Sequence, residues 1–246
     1  MGKKDVLVVS AHCADFCTRA GGAIAKYVKE GYNVHIVILS FGCHGESGGY
    51  WKTNPNGTIE DCAEVRRKEC INVAEFLGAT IEFWNLSDYP LVIGEEEIRK
   101  LTKMVLDRRP EVILTHWIKD RANQDHETAA NAIIRAVDGA AQLGAFPNTP
   151  IHYFPNIYCF ETTVPMSEFN DFDPDFLLDI TDVFETKLEA MKKFECQPYL
   201  SNYYVHFAKH RAFQATFYTK KTIEYAEGFK RIYPYVGTML PETSEH

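Results

Sequence analysis

Residues 5–27 read DVLVVSAHCADFCTRAGGAIAKY, and this stretch decides the fold. An apolar run, Val6 to Val9, ends in Ser10-Ala11-His12; Asp15 follows three residues after the histidine, and Gly21-Gly22 opens a segment of helical character. A short apolar run bounded by a turn suits a buried strand of a parallel sheet. The C-terminal ends of such strands are where open α/β sheets place their ligands. A His and an Asp on the loop leaving that strand can turn towards one point. Imidazole nitrogen and carboxylate oxygen together suit zinc, and a catalytic zinc needs one further protein ligand and an open position. The alternative is a capped turn in which His12 and Asp15 only hydrogen-bond the backbone.

Working outward, residues 20–31 (AGGAIAKYVKEG) predict a short helix closed by Gly31. Residues 33–39 (NVHIVIL) predict the second strand, so strand, helix and strand form a right-handed crossover unit. Residues 40–58, SFGCHGESGGYWKTNPNGT, read as a mobile loop leaving the same sheet edge, from which His44 and Glu46 can reach the site. Helices are predicted over 60–77, closed by Gly78, and over 95–106, with strands over 81–84 and 111–115 and a turn at Ser87-Asp88-Tyr89-Pro90 between them. The strand over 111–115 runs into HWIKDRANQDHETAANAI, residues 116–133, which concentrates His116, Asp120, Asn123, Asp125 and His126. The apolar pattern resumes at Ala129, Ala130, Ile133 and Ile134, which puts His126 near a helix start. Two strand-end loops thus carry His and Asp, and the second supplies the missing third ligand. Further on, a strand is predicted over 151–160 with Glu161 at its end, helical stretches over 176–194 and 203–218, and a closing apolar-aromatic segment, GFKRIYPYVG, over 228–237. No repeat or linker divides residues 1–246, so one domain is expected.

Of the 246 residues, 46% are hydrophobic and 24% charged, which is ordinary for a soluble globular protein. The net charge of −8 argues against general nucleic-acid binding, which needs a basic face. No apolar run reaches membrane-spanning length, and the N-terminus lacks a secretory apolar region. Seven scattered cysteines (13, 17, 43, 62, 70, 159, 196), without a C-x-x-C pair, suit reduced thiols and a cytoplasmic protein.

These motifs resemble those of the PIG-L (LmbE-like) superfamily of zinc-dependent de-N-acetylases. The family signature A-H-P-D-D-E, a Gly-Gly turn and a later D-H are matched by Ala11 to Phe16, Gly21-Gly22 and Asp125-His126, and its R-x-x-E by Arg66 and Glu69. The resemblance implies an α/β fold with a Rossmann-like parallel sheet flanked by helices, a Zn2+ cofactor, and His12, Asp15 and His126 as its ligands. One departure stands out: the position of the family's general base, which activates the attacking water, is Ala14, and the signature Glu is Phe16. Alanine accepts no proton, and losing the base while keeping the ligands suggests altered chemistry.

The chain is more similar still to the 4-oxalomesaconate (4-carboxy-2-hydroxymuconate) hydratases of aromatic-acid catabolism. That branch shares A-H-x-A-D-F, R-A-G-G-A-I-A, the S-F-G-x-x-G-E-S loop, D-Y-P, K-D-x-x-N-x-D-H and a late Y-A-E-G, here Tyr225 to Gly228. Where the branch has a histidine after the strand around 157–161, this chain has Thr162 and Thr163. The resemblance implies a hydro-lyase adding water across a carbon–carbon double bond of a small polycarboxylic acid. In that reading Glu46 moves protons and Arg66 binds a substrate carboxylate through its planar fork. Asn123 and His116 contact substrate, although a core histidine satisfied by backbone is the alternative for His116. Asp125 and Asp120 stand behind the ligands, and Asp125 orients one of them; in a deacetylase, Asp120 or Glu46 would have to replace the lost base. The runner-up is a deacetylase of an N-acetyl sugar conjugate, and the third reading is an inactive zinc-binding scaffold. Family likeness also implies a closed homo-oligomer, with a hexamer as one option.

Overall fold

The computed structural model describes residues 3–145, 150–151 and 153–239. The apolar run becomes β1 (Asp5–Ser10), whose residues Val6 to Val9 are fully buried. Both of its faces are covered, which is why its sequence is continuously apolar rather than alternating. Val6 and Val8 enter one core, packed under α1 (Asp15–Lys29), α3 (Ile59–Leu77), α6 (Phe184–Met191) and α7 (Leu200–Thr219). Leu7 and Val9 enter the other, under α4 (Glu95–Arg108) and α5 (Gln124–Ala140).

Beside β1 lie β2 (Asn33–Ser40) and, on the other side, β4 (Val112–His116), both parallel to it. With β3 (Thr80–Leu86), β5 (Asn156–Phe160), β6 (Phe176–Asp179) and β7 (Ala226–Arg231) they form a seven-stranded sheet ordered β3-β2-β1-β4-β5-β7-β6. The chain winds one way from β1 to β3, then returns to place β4 on the opposite flank. This reversal opens a crevice at the C-terminal ends of β1 and β4, the position at which open α/β sheets bind ligands. The two polar loops leave from these strand ends.

Several expectations need correction. The sheet is mixed, because β7 runs antiparallel to β5 and β6. β6 occupies residues expected to be helical: Phe-Leu-Leu-Asp is too short to display a period, and pairing with β7 decides its conformation. A short helix, α2 (Gly48–Thr53), sits within the expected loop. The strand expected over 151–160 is confined to Asn156–Phe160, and residue 152 lies outside the described residues, as do 1–2, 146–149 and 240–246 of the expected single domain. Among the described residues no helix is long and apolar enough to cross a membrane, and all seven cysteines are free and buried.

The helix α1 begins at Asp15, five residues before the expected start, and kinks at Ala20 (φ −136°). Gly22 lies just beyond the kink, where a Cβ would sit 2.6 Å from Ile180 Cγ2. The kink frees the Gly22 and Ala23 amides, which donate to Glu227 Oε1 and Oε2 at 2.8 Å each. Lys187 Nζ donates to the same carboxylate at 2.7 Å, with both side chains 2% exposed. The Gly-Gly turn and the Y-A-E-G segment are therefore one structural joint. Glu227→Ala removes the acceptor from two amides and leaves the buried Lys187 charge uncompensated, so a loss of about 3–5 kcal/mol is expected in urea unfolding. A loss under about 1 kcal/mol would contradict this role.

Candidate functional site

His12 leaves β1 fully buried, and its backbone is set by Asp15, whose Oδ2 accepts from His12 N at 2.8 Å. The capped-turn reading of this pair thus holds locally, yet the side chains do more. His12 Nε2 pairs with Asp125 Oδ2 at 3.1 Å, and Asp125 is fixed by the Tyr89 and Leu91 amides at 2.9 and 2.8 Å. His126, in the first turn of α5, pairs through Nδ1 with Asp120 Oδ2 at 2.8 Å. Each histidine therefore has one nitrogen held by a carboxylate and one left over.

The leftover atoms, His12 Nδ1 and His126 Nε2, are buried and have no hydrogen-bond partner among the described residues. An orphaned buried polar atom costs about 1–3 kcal/mol, so the site is built for something else. Ligand atoms of His12, Asp15, Glu46 and His126 all lie within 4.8 Å of one another. His12 Nδ1 is 3.2 Å from Glu46 Oε1, and His126 Nε2 is 3.5 Å from Asp15 Oδ2. Two imidazole nitrogens and carboxylate oxygens form a donor set that fits zinc, and a carboxylate behind each histidine fixes its tautomer. The surrounding carboxylates favour positive charge at this point. Burial pulls His12 down, but Glu46, Asp125 and Asp15 outweigh it and raise its pKa well above the ordinary value. For Asp15, burial is outweighed by Arg19, His126 and His116, which hold it well below the carboxylate range.

Glu46 rides on the Gly-rich loop, which Asp88 anchors by accepting from the His44 and Gly45 amides at 2.9 and 3.0 Å. A Cβ at residue 45 would lie 2.0 Å from Tyr89 Cε2, so any larger residue there would displace the Tyr89 ring. Glu46 Oε1 accepts from Asn123 Nδ2 at 2.9 Å, and Asn123 in turn caps α5 through the Asp125 amide. The expected role of Glu46 is proton transfer alone, but its Oε1 also stands within the ligand cluster.

Other assignments move. Arg66 is not brought to the site: it is 0% exposed, and its guanidinium is used by Glu69 at 2.6 Å, Gln197 at 2.8 Å and Phe41 O at 3.3 Å. No fork remains for a substrate carboxylate. His116 Nε2 accepts from Ala11 N at 2.9 Å while its ring stacks on His126 at 4.1 Å, so the backbone-satisfied alternative describes it better than substrate contact. His44 turns away onto Asp88 at 2.9 Å. Thr163 spends both its amide and its hydroxyl on Asp120.

A cavity of about 330 Å³ opens beside the cluster, lined by Ala14, Asp15, Arg19, Glu46, Asn123 and a group of tyrosines from the start of α7. Arg19 is the Arg of the shared R-A-G-G-A-I-A segment, but no role for it was expected. The signal was hidden in the helix start: once α1 begins at Asp15, Arg19 lies one turn on and on the same face, where it bonds Asp15 Oδ1. The metal-site geometry yields a test. Asp120→Asn should weaken metal binding by about 10–100-fold in chelator competition with the circular dichroism spectrum unchanged. Unaltered affinity would remove Asp120 from the support of His126.

The chain resembles several known proteins in sequence and in fold. Residues 7–137 match the family model described as PIG-L: GlcNAc-PI de-N-acetylase. The 4-oxalmesaconate hydratase of Pseudomonas putida is 37% identical over 242 residues, covering 97% of this chain and 93% of that protein. The crystal structure of GalB, the 4-carboxy-2-hydroxymuconate hydratase from Pseudomonas putida, superposes with a TM-score of 0.91 at 37% identity, covering 97% of this chain and 100% of that one. The N,N'-diacetylchitobiose deacetylase of Pyrococcus horikoshii, at 22% identity and a TM-score of 0.77 over 93% of this chain and 84% of that one, shares the fold. With half its length matched by the family model and nearly all of it by the hydratase, the chain belongs to the PIG-L family, in the branch that holds the 4-oxalmesaconate hydratases.

Proposed function

We propose that the protein is a zinc-dependent hydratase that adds water across a carbon–carbon double bond of a small polycarboxylic acid of the 4-carboxy-2-hydroxymuconate type. One observation carries the choice between hydration and amide hydrolysis. Ala14 lines the cavity at the position of the deacetylase base, and Glu46 is the carboxylate poised there with an oxygen to spare. Its Oε1 is held by Asn123, and no described residue hydrogen-bonds Oε2. Asp120 does not take over from Ala14, because it is fully buried and committed to His126 and Thr163. The 37% identity to a 4-oxalmesaconate hydratase supports the same reading.

His12, Asp15 and His126, with Glu46 Oε1 at the edge of the set, would hold the metal. When bound, it supplies Lewis acidity that polarises a substrate oxygen and steadies developing enolate charge. The protein's own residues do the rest. Glu46 takes a proton from water as the water oxygen bonds to one alkene carbon, then returns that proton to the neighbouring carbon. The net change is one water added and the carboxylate restored. Burial raises the Glu46 pKa, but His12 and His126 lower it and the net position is below the usual value. Tyr89 stacks over His12 (centroids 5.9 Å apart) and closes one side of the cavity.

General acid–base groups contribute about 10²–10⁴-fold, so Glu46→Gln should lower kcat for hydration by that order with KM little changed. Unaltered kcat in a variant that retains its zinc would reduce Glu46 to an inert loop charge and remove the mechanism.

A further inference from the structure

We infer that Arg19 is the carboxylate-binding and specificity-determining residue of the cavity, engaging a substrate carboxylate remote from the reacting double bond. The inference takes its substrate class from the polycarboxylate-hydratase reading. Arg19 lies on α1 and is 7% exposed, and its side chain lines the cavity. Asp15 Oδ1 holds Nη1 and so aims the guanidinium, but Nε is buried with no hydrogen-bond partner among the described residues. An ion this buried normally has its donors satisfied. A carboxylate entering the cavity completes the fork in the planar, bidentate manner that guanidinium favours.

Charge in the cavity points the same way. Its lining includes the carboxylates of Asp15 and Glu46, and Arg19 is the one cationic side chain among the described lining residues. A multiply charged anion meets repulsion there unless Arg19 receives one of its charges. The wall beyond Arg19 is made by Tyr199, Tyr203 and Tyr204 at the start of α7, with the Tyr204 ring 5.8 Å from the guanidinium. No side chain caps the first amides of that 20-residue helix, so its N-terminus adds partial positive charge on the same side. Arg66, in contrast, has its donors used inside the protein.

The test uses zinc-loaded wild type, Arg19→Met and Arg19→Lys, with tricarballylate (three carboxylates) and glutarate (two) as calorimetric probes. Wild type should bind tricarballylate about 10–100-fold more tightly than glutarate, the size of one charge-assisted hydrogen-bonded contact. In Arg19→Met the two affinities should converge with zinc content unchanged, and KM for the hydration substrate should rise by a similar factor while kcat falls less. Arg19→Lys should recover part of the gap, since it keeps the charge without the fork. A gap that survives in Arg19→Met overturns the inference. So does loss of zinc with equal weakening of both probes, which would make Arg19 only a structural partner of Asp15. Should wild type fail to hydrate 4-carboxy-2-hydroxymuconate while the Arg19-dependent gap remains, the hydratase reading falls and the carboxylate site stands.

Discussion

A single buried carboxylate, Asp15, holds the site together. It caps the turn after β1 through the His12 amide, anchors Arg19, and faces the rings of His116 and His126 at 3.5 Å. Burying a lone carboxylate is expensive, and only the surrounding cations and dipoles make its charge tolerable. Because Asp15 is also the first residue of α1, the helix dipole adds to that stabilisation. Strand, loop and helix are thus positioned by the same atoms that would hold a metal.

Around that carboxylate the structure repeats one device, an imidazole with a carboxylate behind it. Asp125 does this for His12 and Asp120 for His126. Each of these aspartates is in turn fixed by backbone amides of other loops, Tyr89 and Leu91 for one, Thr163 for the other. Loops leaving several different strands are therefore locked to one point. The crevice between β1 and β4 exists because the sheet order reverses there, and the chemistry-bearing residues sit at that reversal.

The parts of this arrangement that were legible in the sequence are those written in local pattern. The apolar run before His12 marked β1, and the second concentration of His and Asp marked the loop after β4. What escaped depended on distant partners. Arg66 looked like a substrate fork, but Gln197, far along the chain, uses it. Glu227 had no visible task until the kink in α1 turned two amides towards it. Arg19 was passed over because Gly21-Gly22 looked like a helix start, whereas the glycines serve a kink and close packing against Ile180. The β6 strand was missed because pairing with β7, and no periodicity of its own, fixes it.

The central claim is that a family site built for amide hydrolysis has here been turned to hydration, with Ala14 in place of a base and Glu46 moving the proton. The most direct measurement is a side-by-side comparison of kcat/KM for zinc-loaded wild-type protein on 4-carboxy-2-hydroxymuconate and on an N-acetylglucosamine conjugate. Efficient loss of the conjugated double bond, with acetate release at background, is the result this account predicts. Efficient acetate release without hydration would contradict it.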